Sequence, residues 1–177
     1  LTSAMPGLEV RAVEGVAAAL AALEEKPDAD LVLTDQRLLD GEGFKLSAVG
    51  SPVGKQPIDA PFDAALDKLK RAVEVAHRFG TPNVRIFSFY PPADAPFAGD
   101  WAPHRGEVVR RMRALAEHAA AAGVVLFHEN EHKIYGDSPE RVLDVVRSVN
   151  SPALKLAYDA ANYVFCGYDP VAGWEQT

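Results

Sequence analysis

The stretch Val124-Val125-Leu126-Phe127-His128-Glu129-Asn130-Glu131-His132-Lys133 decides how this chain is read. Four apolar residues follow Gly123 and give way to six polar or charged ones. An apolar run of that length, two of its members β-branched, reads as a strand buried on both faces, as in a parallel sheet. The switch in polarity marks where the chain leaves the core. In parallel α/β proteins, ligands bind at the carboxyl ends of the strands. Glu129 is therefore expected at a rim where chemistry is done, with a solvated loop as the plain alternative.

Working outward, residues 106–122 carry Val109, Met112, Leu115, Ala116 and Ala119 at helical spacing, and Gly123 closes that helix. Downstream, Ser138-Pro139-Glu140 opens a helix: serine caps free N–H groups, proline fits the first turn, and the glutamate faces the positive end of the dipole. Its buried stripe is Val142, Val145, Val146 and Val149. Residues 153–158 form a strand leading to Asp159, and Asp169-Pro170 caps a further helix. Upstream, residues 84–89 form a strand that runs into a long loop, Tyr90 to His104. A loop of that length is expected to cover the rim and bring Trp101 near a pocket. Before it come an amphipathic helix over 63–79, closed by Gly80, and a strand over 44–50. That strand ends in Ser51-Pro52-Val53-Gly54-Lys55, whose glycine and proline predict a loop that lets the backbone approach a ligand. A short strand at 8–11 and a helix from Val13 to Lys26 start the chain, and residues 28–43 take no clear assignment.

Strand centres near residues 9, 47, 86, 126 and 156 make a βα repeat of roughly 30 to 40 residues, the average of an eight-unit barrel. The expected fold is a (β/α)8 TIM barrel in which residues 1–177 hold about five of the eight units, as one domain. Because a segment of a closed barrel has open strand edges, the native chain is expected to extend at both ends.

Composition narrows the partners. Of 177 residues, 48% are hydrophobic and 24% charged, as in an ordinary globular protein. No apolar run approaches the ~20 residues that span a bilayer. A net charge of −7 argues against nucleic acid, which needs clustered Lys and Arg. Cys166 is the only cysteine, so no intrachain disulfide forms and a reducing cytoplasm is the expected setting. The expected partner is a small molecule, with a homo-oligomer possible.

Glu129 and Asp159 end neighbouring strands, ~5 Å apart between backbones. Two carboxylates that close destabilise each other unless a cation or a proton lies between them. Either one points into solvent or a divalent metal joins them; oxygen ligands suit Mg²⁺ and Mn²⁺, and added imidazole admits Co²⁺ or Zn²⁺.

His128-Glu129-Asn130-Glu131, then Tyr135-Gly136-Asp137 before a capped helix, then Tyr158-Asp159-Ala160-Ala161-Asn162, resembles the sugar phosphate isomerase/epimerase family of xylose-isomerase-like barrels. Ser51-Pro52-Val53-Gly54-Lys55 after a strand adds to the resemblance, which runs from Leu8 to the end. It implies that Glu129 and Asp159 hold a divalent metal (Mn, Mg, Co or Zn) and that Glu129 also serves catalysis as one of two proton-transferring carboxylates. It further implies a histidine and a glutamate from the seventh and eighth strands, which map to no residue here. The implied reaction is isomerisation or epimerisation of a sugar or polyol through an enediolate. Lys55, Asn130, His132 and Asn162 are the substrate-contact candidates. Many relatives carry His where Asn162 stands, so Asn162 is assigned no more than a hydrogen bond. Lys55 reads first as an exposed loop lysine and His132 equally as a solvated loop residue, and Arg85, inside a strand, is expected to pair with a barrel carboxylate. The rival readings are a cyclic-polyol dehydratase on the same barrel and a noncatalytic sugar-binding module. An apurinic endonuclease is disfavoured by Asn162 and by the negative charge.

Overall fold

In the computed structural model, which describes residues 46–93, 97 and 99–177, Val49, Val84, Leu126 and Leu154 fall side by side across four parallel strands. The strands are β1 (Val49–Gly50), β2 (Asn83–Ile86), β3 (Val125–Glu129) and β4 (Leu154–Ala157), in sequential order. Helices α1 (Phe62–Arg78), α2 (Arg105–Ala121) and α3 (Pro139–Val149) follow β1, β2 and β3; short helices α4 (Ala160–Phe165) and α5 (Pro170–Gln176) follow β4. A strand order that follows the chain, with a helix after each strand, is that of consecutive βα units in a (β/α)8 barrel. The strand and helix expected within 8–26, the stretch 28–43 and the start of the strand expected over 44–50 lie outside the described residues. Among the described residues, no helix is long and apolar enough to cross a membrane.

Helix ends follow the sequence signals. Ser138 accepts from the Arg141 amide, and Pro139 holds the first position of α3. Gly80 and Gly123 take positive φ at the ends of α1 and α2. There Thr81 N–H reaches back to Ala76, and Val124 N–H to Ala119, closing carbonyls the helix leaves open. α1, α2 and α3 pack on the sheet and on one another in order. They bury Leu69, Val73 and Ala76, then Met112, Leu115 and Ala116, then Val142, Val145 and Val149. Fully burying one such Val or Leu contributes about 1.5–3 kcal/mol.

Two expectations are corrected. The strand was expected to be buried on both faces and to end as polarity began; instead β3 alternates. Leu126 and His128 are buried on one face, while Val125, Phe127 and Glu129 are half-buried on the other. The apolar run reports burial of one face plus partial cover of the other. The second correction concerns Gly54, at φ +83. Its close approach is to the neighbouring strand rather than to a ligand: an added Cβ would lie 2.0 Å from the Phe87 carbonyl oxygen. Residues 51–58 run beside 85–90, with Phe87 N–H donating to Val53 and Phe89 N–H to Gly54.

Candidate functional site

One step along from the apolar row, Gly50, Arg85, Phe127 and Lys155 line up on the opposite sheet face. Glu129, paired in register with Ala157, stands one pleat further towards the carboxyl ends on that same face. Arg85 Nη1 donates to Glu129 Oε2 at 2.9 Å, which fulfils the expected pairing with a barrel carboxylate. Gly50 makes room, since a Cβ there would come within 3.1 Å of Arg85 Nη2. Lys55 pairs with Glu131 at 2.8 Å. Both cations lie over the Phe87 ring, Lys55 Nζ at 4.2 Å and the Arg85 guanidinium at 4.6 Å from its centre. Phe87 itself is fully buried, so two ion pairs share one aromatic floor at the ends of β2 and β3.

Asn130, Asp159 and Asn162 meet at the ends of β3 and β4. Asp159 N–H donates to Asn130 Oδ1 at 2.7 Å, and Asn130 Nδ2 donates to the Asp159 carbonyl at 2.8 Å. Asp159 Oδ1 accepts from the Asn162 amide at 2.8 Å, capping α4, and Asn162 Nδ2 donates to the Asn130 carbonyl at 2.9 Å. Asn130 is buried, both ends of its amide used within the protein. Of the Asp159 carboxylate, Oδ2 has no hydrogen-bond partner among the described residues, and the same holds for Glu129 Oε1.

His132 sits edge-on to the Phe165 ring, centres 4.7 Å apart at 89°. With Lys133, Asp137 and Arg141 it faces Trp101 and Phe97 across an open cleft of about 300 Å³. The Tyr90–His104 loop thus brings Trp101 to a cleft beside the rim, as its length suggested; the indole packs edge-on against Tyr135.

His128 went unsingled in the sequence. It is wholly buried and neither ring nitrogen has a partner among the described residues. Burial pulls its pKa down to about 4, so the ring is neutral at pH 7. The loop after β3 crosses it at Gly136, where a Cβ would sit 2.4 Å from His128 Cε1; Gly136 N–H donates to the buried Ser88 hydroxyl at 2.8 Å. α4 was also missed. Its signal was Asp159 three residues before Asn162, a capping pattern.

Glu129 and Asp159 offer hard oxygen donors, one unpartnered oxygen each, a chemistry that fits Mg²⁺ or Mn²⁺. Among the described residues no group of three or more His, Cys, Asp or Glu gathers to complete a ligand set.

Residues 10–175 match the family model described as xylose isomerase-like TIM barrel. The chain is similar to the probable 3-DHS dehydratase AsbF of Bacillus anthracis, 20% identical over 90% of this chain and 56% of that one, TM-score 0.66. It is similar to a xylose isomerase-like TIM barrel protein of Mycobacterium smegmatis in complex with magnesium, 22% identical over 82% and 54%, TM-score 0.61. A D-allulose 3-epimerase from Methylomonas sp. in complex with D-allulose is 19% identical over 72% and 46%, TM-score 0.54. At these identities the likeness is one of fold. The chain spans about half the length of these structures, and no curated protein matches it.

Proposed function

The chain belongs to the xylose isomerase-like TIM barrel family, and from that premise we propose that it serves a metal-dependent isomerase or epimerase acting on a sugar or sugar-like polyol. The observation that carries this reading is the placement of Glu129 and Asp159 at the ends of adjacent strands, each with one oxygen unpartnered among the described residues. Those two residues would hold the ion. A divalent metal there supplies Lewis acidity to neighbouring substrate oxygens. Glu129, oriented by Arg85, serves as one of two carboxylates that move a proton next to the carbonyl, the substrate passing through an enediolate. Lys55 and His132 stand on the loops after β1 and β3, where substrate hydroxyls would meet them.

The test uses the complete protein. Glu129→Gln and Asp159→Asn should each abolish Mn²⁺-dependent turnover of a ketose panel, and the double variant should lose no more than either. Wild-type Mn²⁺ binding and turnover in both variants would overturn the assignment. Dehydration of a cyclic polyol, lost in the same variants, would keep the site and change the reaction.

A further inference from the structure

Resting on that reading of Asp159, we infer that Asn130 and Asn162 are positioning residues that fix which carboxylate oxygen Asp159 presents to a metal, rather than groups that touch substrate. The β3–β4 ladder ends at Glu129 and Ala157. Beyond it the Asn130 side chain takes over as a substitute strand, bonding both backbone groups of Asp159 at 2.7 and 2.8 Å. The cap at Asn162 N–H then ties down Oδ1, and the Asn162 amide returns to the Asn130 carbonyl at 2.9 Å. Four hydrogen bonds close a cycle through three residues. Asp159 is held at both backbone groups and at Oδ1, and Oδ2 is the carboxylate oxygen left without a hydrogen bond among the described residues.

The latch does more than the local fold needs. The segment it anchors, α4, buries only Tyr163 and leaves Val164 and Phe165 exposed. A six-residue surface helix with one buried side chain gives little reason to bury an asparagine and saturate both ends of its amide. Asn130 is also the residue after Glu129, so the same four bonds set the Glu129 backbone relative to the Asp159 backbone. Two carboxylates meant to share an ion need that separation held.

The experiment measures Mn²⁺ affinity of the full-length protein by the EPR signal of free Mn²⁺, with apo melting temperature alongside. Asn162→Ala removes one bond from a half-buried site and should weaken Mn²⁺ binding about 10-fold with little change in apo melting; Asn130→Ala should reach about 100-fold. Asn162→Gln, which keeps the amide donor, should recover part of the loss. Asp159→Asn should abolish binding. Asparagine variants that melt earlier but bind Mn²⁺ like wild type would overturn this inference alone and leave Asp159 a ligand. A wild-type protein that binds no Mn²⁺ would overturn both this and the function proposed above.

Discussion

The two rims of β3 are built on opposite principles. Towards β2, charge meets charge: Arg85 with Glu129 and Lys55 with Glu131, both cations resting on Phe87. Towards β4, the Asn130 amide holds both backbone groups of Asp159, while Asn162 N–H caps its carboxylate and the Asn162 amide ties back to the Asn130 carbonyl. A half-exposed ion pair contributes little, because solvent and salt still reach it and two long side chains must be ordered. An amide latch around a buried asparagine contributes more, because breaking it strands backbone groups away from water. The first rim is adjustable by ligand and ionic strength; the second is fixed.

Breaking the fixed rim should cost most. Asn130→Ala leaves Asp159 N–H without its partner and Asp159 C=O with only the 3.4 Å bond from Tyr163 N–H; at roughly 1–3 kcal/mol for the stranded N–H and about 1 kcal/mol for the bond lost at the carbonyl, the loss is about 2–4 kcal/mol in urea unfolding. A loss below about 1 kcal/mol would mean water replaces the latch and the contrast between the rims dissolves.

Acid sharpens the comparison next, through the buried residue beside Glu129 in β3. Burial lowers the His128 pKa from 6.5 to about 4 in the folded chain. Above pH 6.5 the ring is neutral folded or unfolded. As pH falls from 6.5 towards 4 the unfolded chain takes up a proton that the folded chain refuses, so stability falls across that window, by up to about 3 kcal/mol. His128→Leu should flatten this limb and leave stability at pH 7 unchanged or slightly higher, since the ring nitrogens have no partners to lose. Urea midpoints at pH 7.5 and 4.5 compare the two; equal slopes would exclude His128 as the source.

The adjustable rim should give least. Lys55→Ala should change stability by about 0.5 kcal/mol or less, and high salt should erase even that. Melting at low and high salt measures it, and a salt-insensitive loss above about 1 kcal/mol would make this rim as rigid as the other.

What could be read in advance was what is local along the chain. Ser138 and Asp169 announce their helices because each side chain bonds amides two or three residues on. Glu129 and Asp159 were found because polarity changes at the ends of their strands. The latch was not legible: Asn130 and Asp159 lie 29 positions apart, and no periodicity says which amide will meet which backbone. His128 was misplaced for a related reason. Polarity assigned it to the loop, yet the alternation of β3 turns it inward beneath Gly136. Gly54 was read as a close approach to a ligand, and the partner is instead the Phe87 backbone, a neighbour the sequence does not name.

One tryptophan stands at the cleft and the other beside the amide rim. Trp101 is 6% exposed, against Tyr135 beside the cleft; Trp174 is 67% exposed, against Tyr158 next to Asp159. Their surroundings differ enough to separate their light: a shielded indole emits at shorter wavelength and escapes iodide, while a wet one emits to the red and is quenched. The molecule thus carries two native optical channels, so that events at the cleft and at the amide edge of β3 are distinguishable without attaching a label.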